Sequence, residues 1–142
     1  MLQQPPAPVG YKDGSHKPDI ICQRFDDPLK LRALDLTIVH PTSATALRDY
    51  HSDTKPGATI EHSEGVKRKH YQQFHLQQDL TLTTLAFETY GRESPATSAF
   101  IRACCIQATG LETGWQHHPI SRRWRTRIHA AIQVGNAALI RV

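Results

Sequence analysis

The sequence predicts an α/β protein in which helices flank a small mixed β-sheet. Segments typical of strands and helices follow one another in the order strand, strand, helix, strand, helix, helix, separated by proline and glycine. A chain of 142 residues is long enough for one domain with a single modest core. We therefore assign residues 17–142 to one domain and residues 1–16, rich in proline, glycine and glutamine, to a flexible amino-terminal segment.

The first two predicted strands are adjacent in the chain. Residues 17–23 form the first, and residues 31–39, where apolar side chains occupy every second position, form the other. Asp26-Asp27-Pro28 is typical of the turn between them. Pro41, after His40, ends the second strand because proline cannot donate to a β-ladder.

A connection and a helix follow these strands. Residues 42–58 are polar and predict a crossover without defined secondary structure. The pattern from Thr59 to Gln77 predicts a helix, because its larger side chains recur at spacings of three and four. The residues on that face are Ile60, Glu64, Lys67, Tyr71 and Phe74.

The remaining elements are one strand and two helices. Residues 80–89 alternate and are rich in threonine and leucine, which predicts the third strand. Ser94, followed by proline, is a typical helix cap, and the helix runs to about residue 107. The last helix covers residues 121–139.

Composition narrows the class of partner. The formal charge of +4 favours an anionic partner, of which nucleic acid is the commonest. Three cysteines without a Cys-x-x-Cys pair give no disulfide framework, so we expect an intracellular, reducing environment. No apolar run is long enough to span a bilayer, and we expect no membrane partner.

Two aspartates on the first two strands are the strongest chemical signal. Asp19 and Asp35 each stand among apolar neighbours, where a carboxylate is costly unless its charge is compensated. A hairpin would bring them together, and at about 4 Å like charges repel by roughly 4 kcal/mol at an effective dielectric near 20. Mg²⁺, or Mn²⁺, would reverse that repulsion. The alternative is a turn residue, Asp19, and a solvent-facing edge-strand residue, Asp35.

The helix supplies a cation for the same site. Thr37 shares a strand face with Asp35 and stands where an Asp/Glu-x-Lys pattern would place lysine. Lys67 can replace that lysine from the helix, with Glu64 one turn before it and Tyr71 one turn after it. The alternative is that Lys67 belongs to a solvated basic helix surface.

These residues together resemble a known family. The chain is similar to the restriction-like endonuclease domain at the carboxyl end of reverse transcriptases of non-LTR retrotransposons, a member of the PD-(D/E)xK nuclease superfamily. The matching pieces are Lys17-Pro18-Asp19, residues 34–41 (LDLTIVHP), Glu64-x-x-Lys67 with Tyr71, residues 87–91 (FETYG) and residues 133–139 (QVGNAAL).

The resemblance implies a restriction-endonuclease-like core, truncated at its amino end because residues 1–16 contain no counterpart of the helix expected before the first strand. It implies Asp19 and Asp35 as catalytic metal ligands, Lys67 as the displaced catalytic lysine and Tyr71 as its support. The implied reaction is Mg²⁺-dependent nicking of DNA in the nucleus, beside an upstream reverse transcriptase domain. The alternative is a catalytically inactive nucleic-acid-binding remnant of the same fold.

Two further features complete the predicted site. Glu88, at the end of the third strand, could join the same pocket as a third carboxylate or pair with an arginine such as Arg92 or Arg102. A basic patch on the last helix predicts contact with a DNA backbone, with a solvated helix face as the alternative. The patch consists of Arg122, Arg123, Arg125 and Arg127, around Trp124.

Overall fold

A three-stranded mixed sheet organises the part of the chain that the structure describes. The structure is a computed structural model, and it describes residues 18–24, 30–72 and 81–140. The strands are β1 (Ile20–Gln23), β2 (Leu31–Val39) and β3 (Thr81–Glu88). Strand β2 is central and pairs antiparallel with β1 and parallel with β3. This confirms the predicted α/β class with a small mixed sheet.

Helices lie on both faces of the sheet. They are α1 (Ala44–Tyr50), α2 (Ala58–His70), α3 (Pro95–Thr109) and α4 (Pro119–Ile140), with a single 3₁₀ turn at Trp115–His117. Helix α2 covers one face, where α1 packs beside it, whereas α3 and α4 lie against the other face. No helix of the described ranges has the length and apolarity needed to cross a bilayer.

The period-two pattern of β2 assigns its side chains to these two layers. Asp35 and Thr37 point to α2, and Leu36 and Ile38 point to the side of α3 and α4. Of the apolar side chains on the α3 and α4 side, Leu34 is buried, but Leu36 and Ile38 are 50% and 47% exposed, whereas Asp35 is 3% exposed. The chemically interesting face of the central strand is therefore the more completely buried one.

Most predicted boundaries agree with the observed ones. Strand β2 has the predicted bounds, and β3, α3 and α4 differ from prediction by two residues or fewer at each end. Strand β1 begins at Ile20, three residues later than predicted. The helix predicted over residues 59–77 is α2, which begins one residue earlier and ends at His70. The predicted turn at 26–28 and the part of that predicted helix at 73–77 lie outside the described residues.

The prediction of an irregular crossover over residues 42–58 is wrong, because α1 lies within it. The Ser43 hydroxyl accepts a hydrogen bond from the Ala46 backbone amide, and Ala46 is fully buried. His51 ends the helix in the left-handed conformation at φ 53°, where its amide donates to the Ala46 carbonyl. A seven-residue helix with one buried side chain has too little periodicity to be detected in a polar sequence.

A buried cap joins α3 to the sheet. The Ser94 hydroxyl, fully buried, accepts a hydrogen bond from the Thr97 amide, which confirms the predicted helix start. The Thr97 hydroxyl in turn donates to the Ala86 carbonyl of β3 at 3.2 Å. The first turn of α3 is thus fixed to the sheet by hydrogen bonds that are inaccessible to water.

We expect Ser94→Ala to lower the free energy of unfolding by about 1–2 kcal/mol, because it removes a buried cap and leaves the Thr97 amide unsatisfied. Urea denaturation measures the loss. Ser43→Ala, which removes the half-buried cap of α1, is the matched control and should cost less. Equal losses in the two variants would show that burial adds nothing to the Ser94 cap.

Candidate functional site

The buried carboxylate of Asp35 is the centre of the site. It lies at the middle of β2, on the face covered by α2. The Tyr71 hydroxyl donates a hydrogen bond to Asp35 Oδ1 at 2.9 Å, and the Lys67 ammonium lies 2.9 Å from Oδ2. A buried carboxylate needs such partners, because an unpaired charge in a protein interior is strongly unfavourable. The predicted association of Asp35, Lys67 and Tyr71 is therefore present in the structure.

Helix α2 positions both partners of Asp35. Lys67 and Tyr71 are four residues apart, so they project from the same side of the last helical turn. Tyr71 caps the helix, its amide donating to the Lys67 carbonyl, and its ring packs against Ala33 and Leu82. The first turn of α2 is anchored by the buried residues 58–60. Packing at both ends thus directs the polar side chains onto Asp35.

The two oxygens of Asp35 have different environments. Oδ1 accepts the hydrogen bond from Tyr71, whereas no hydrogen bond of suitable geometry reaches Oδ2 from the described part of the chain. Lys67 therefore compensates Oδ2 chiefly as a nearby charge, from a side chain that is one-third exposed. Oδ2 is buried, so the Lys67 ammonium is the charge closest to it among the described ion pairs.

Burial also changes the pKa of the Tyr71 phenol. Desolvation of its phenol raises the pKa of Tyr71 well above its ordinary value, and the hydrogen bond to Asp35 and the charges of Asp35 and Asp19 raise it further. Tyr71 consequently remains a protonated donor to Asp35 over the whole physiological pH range.

Asp19 lies at the same level of the sheet as Asp35. Ile20 pairs with Leu34, so the antiparallel register places Asp19 opposite Asp35. The Asp19 carboxylate accepts a hydrogen bond from the Leu36 backbone amide at 2.7 Å, which holds the chain just before β1 against β2. The structure thus brings the two predicted metal ligands to neighbouring positions.

Thr37 and Glu64 lie beside this group without contacting Asp35. The Thr37 hydroxyl lies 3.2 Å from the Ser63 hydroxyl of α2, which confirms that Thr37 shares the face of Asp35. Glu64 has a buried oxygen, Oε1, without a hydrogen-bond partner in the described residues. With Arg68 and Thr84, Glu64 lines a cavity of about 160 Å³ on the β3 side of α2.

Glu88 lies apart from the site. The parallel register pairs Asp35 with Thr84 and Val39 with Glu88, so Glu88 is four positions farther along, or about 13 Å. Its buried carboxylate accepts a hydrogen bond from Arg92 at 3.1 Å. The structure therefore favours the pairing with Arg92 over a third carboxylate in the pocket of Asp35.

The four arginines of the last helix have different environments. Arg125 forms two hydrogen bonds to Glu93, at 3.2 and 2.5 Å, and its guanidinium lies 5.0 Å from the centre of the Trp115 ring. Burial alone would raise the pKa of Glu93, but the bonds from Arg125 and Ser98 lower it. Arg125 therefore joins α4 to the start of α3. The exposed arginines of the set are Arg122, Arg123 and Arg127.

The carboxylates of Asp19 and Asp35 are of the type that binds a hard cation which takes only one or two of its ligands from the protein. No group of three or more His, Cys, Asp or Glu side chains in residues 18–24, 30–72 and 81–140 is placed to hold a metal ion. Mg²⁺ is commonly bound by one or two carboxylates, with water and substrate phosphates as the other ligands. Asp35, whose Oδ2 has no hydrogen-bond partner among the described residues, and Asp19, opposite it in the strand register, are the carboxylates that could bind such an ion.

Comparisons of the chain with protein-family models, with curated proteins and with solved structures found no match.

One polar cluster was not recognised in the sequence. His40 follows β2 and Thr89 follows β3, and the His40 Nδ1 atom lies 2.8 Å from the Thr89 hydroxyl. The Thr42 hydroxyl lies 3.2 Å from His40 Nε2 and 3.1 Å from the Tyr90 hydroxyl. The signal that could have revealed the cluster is positional, because the carboxyl ends of adjacent parallel strands meet at one sheet edge.

We expect Tyr71→Phe to lower the free energy of unfolding by about 1.5–3 kcal/mol at neutral pH, because a buried carboxylate loses a hydrogen bond. A phenol whose pKa is raised by folding contributes stability below its unfolded pKa of about 10, and loses that contribution as the pH rises further. Urea denaturation from pH 8 to 11.5 should therefore show a steeper alkaline loss for the wild type than for Tyr71→Phe.

Tyr90→Phe is the matched control, because the Tyr90 side chain is largely exposed. It should change the unfolding free energy by no more than about 0.5 kcal/mol. If Tyr71→Phe behaved like this control at every pH, the Tyr71 hydroxyl would have no stabilising contact with Asp35.

Proposed function

We propose that this chain is a Mg²⁺-dependent DNA endonuclease domain that nicks DNA, of the restriction-like type found in non-LTR retrotransposons. The observation that carries the proposal is the buried carboxylate of Asp35, held between Lys67 and Tyr71 and opposite Asp19 in the strand register. Paired carboxylates can hold a metal ion that assists phosphodiester hydrolysis, and a lysine beside them can stabilise the charge that develops on the phosphate.

Asp19 and Asp35 would hold the metal ion. When bound there, the ion would polarise a phosphoryl oxygen and lower the pKa of a bound water. Tyr71 fixes one oxygen of Asp35, so the carboxylate keeps a defined orientation while its other oxygen binds. Asp19 is fixed in turn by the Leu36 amide. Both carboxylates are thus oriented by the fold before any ligand arrives.

Lys67 is the group suited to the scissile phosphate. Its side chain is one-third exposed, and its ammonium lies 2.9 Å from the buried carboxylate of Asp35, so the lysine connects that carboxylate with the protein surface. An ammonium in that position can stabilise negative charge that develops on the phosphoryl group. The lysine therefore has two roles: it compensates Asp35 within the protein, and it neutralises charge on the substrate.

DNA is the proposed substrate because positive charge surrounds this end of α2. The last turn of the helix carries Lys67, Arg68, Lys69 and His70. Arg68 and Lys69 are exposed, and neither forms an ion pair with the described residues. Cations at a helix carboxyl end are favoured by the helix dipole, and here they also face an approaching polyanion.

A second candidate function is a catalytically inactive nucleic-acid-binding module of the same fold. Its support is Thr37, which occupies the position where the Asp/Glu-x-Lys pattern has lysine and bonds to Ser63 instead. In this alternative, Lys67 serves only to neutralise Asp35, and phosphate contacts come from the exposed cations. A cleavage assay with matched variants separates the two candidates.

We expect the protein to convert supercoiled plasmid to the nicked form in Mg²⁺ or Mn²⁺, and to stop when EDTA removes the metal. Asp35→Asn should abolish nicking, and Lys67→Met should slow it by about 10²–10³-fold, the usual cost of losing one group that stabilises transition-state charge. Gel quantification of nicked plasmid measures the rates.

Asp49→Asn is the matched control, because Asp49 is an exposed carboxylate paired with Arg48. It should nick like the wild type. Nicking that persisted in Asp35→Asn would contradict the proposal. A wild type that binds DNA in a salt-sensitive manner but never nicks would instead support the inactive module.

A further inference from the structure

Helix α4 carries three exposed arginines that have no acidic partner among the described residues. Arg122, Arg123 and Arg127 are exposed, and none forms an ion pair with the part of the chain that the structure describes. Residues 119–140 contain no aspartate or glutamate. Arg125, between them in sequence, is the exception, because Glu93 neutralises it. We call Arg122, Arg123 and Arg127 the α4 arginine row.

The position of the row is unfavourable for the helix itself. Arg122 lies in the first turn of α4, where the positive end of the helix dipole disfavours a cation. Arg123 and Arg127 are four residues apart, a spacing at which like charges repel on a helix surface. Neither effect stabilises the helix, and an anionic ligand bound at the row would relieve both.

The helix beneath the row is firmly held. Trp124 and Ile128 pack against a buried cluster of Ile101, Cys105 and Trp115. Ile132 is buried as well, one turn farther along. Trp124, Ile128 and Ile132 are thus packed in the protein core and are not available for insertion into a lipid surface. This favours a polyanion bound by charge alone, such as nucleic acid, over a membrane.

The row lies on the other side of the sheet from Lys67 and Asp35. Helix α2 covers one sheet face, and α4 packs with Leu36 and Ile38 on the opposite face. A ligand bound at the row would therefore lie on the opposite side of the sheet from one bound beside Lys67.

We propose that the α4 arginine row is a second nucleic-acid site, which binds the phosphate backbone of a duplex without sequence preference and independently of the Asp35 centre. Arginine is well suited to this role because its guanidinium forms paired hydrogen bonds to phosphate. The proposal does not require the Asp35 centre to be catalytic.

The test is binding of a fluorescent 20-base-pair duplex in EDTA, followed by anisotropy over a series of salt concentrations. Losing two phosphate contacts should reduce the slope of log affinity against log salt by about 1.8. We expect that reduction, with at least tenfold weaker binding at low salt, for Arg123→Gln/Arg127→Gln. Its melting temperature should equal or exceed that of the wild type, since a repulsion is relieved.

Arg48→Gln/Lys55→Gln is the charge-matched control, because both residues are exposed and lie at or near α1. It should weaken binding less than twofold. Equal weakening in the two double variants, or no duplex binding by the wild type, would overturn the proposal. The proposal would also be overturned if Arg123→Gln/Arg127→Gln weakened binding to phosphatidylserine vesicles but did not weaken duplex binding. Because metal is absent, a failure of nicking leaves this result unaffected.

Discussion

A single buried negative charge constrains the side of the molecule that carries the proposed chemistry. Asp35 lies in the central strand, where its charge must be compensated, and Lys67 and Tyr71 do so from one turn of α2. The orientation of α2 on the sheet is thereby fixed by polar as well as apolar contacts. Replacing such a group by apolar residues is often neutral or stabilising, so stability alone does not account for its presence. A buried carboxylate with a partly exposed lysine is also the arrangement on which the proposed function rests.

The sheet separates two different uses of positive charge. On the α2 face, Lys67 is tied to a buried carboxylate, and Arg68 and Lys69 extend the charge outward. On the α4 face, Arg125 is neutralised by Glu93 in a structural contact, whereas Arg123 is exposed and forms no ion pair with residues 18–24, 30–72 and 81–140. Arginine therefore has a structural role at position 125, whereas the arginine two residues earlier is exposed on the surface. Only the three-dimensional contacts distinguish these roles, because the sequence spacing does not.

The fold was largely predictable because strong local signals determine it. Strand β2 alternates cleanly, and Ser94 before proline marks the start of α3. Helix α1 was missed because its single buried residue, Ala46, gives no periodicity. The position of Asp19 opposite Asp35 was expected, because a hairpin was predicted for the first two strands. The burial of Asp35 did not, since alternation shows that two faces differ but not which face a helix covers.

The fine structure of the site could not be predicted, because it depends on tertiary contacts. No sequence pattern indicates that the Leu36 amide binds Asp19, or that Arg92 rather than Arg102 binds Glu88. Tyr71 contacts Oδ1 of Asp35 and Lys67 contacts Oδ2, and this assignment likewise depends on how α2 packs on the sheet. Residue types and helical spacing predicted the participants, and packing decided their partners.

Binding of Mn²⁺, followed by electron paramagnetic resonance of the free ion, tests most directly whether Asp35 is poised between Lys67 and a divalent cation. We predict saturable binding by the wild type, loss of binding in Asp35→Asn, and tighter binding in Lys67→Met, because a competing cation is removed. A wild type that binds no Mn²⁺, or an affinity unchanged in Asp35→Asn, would contradict it.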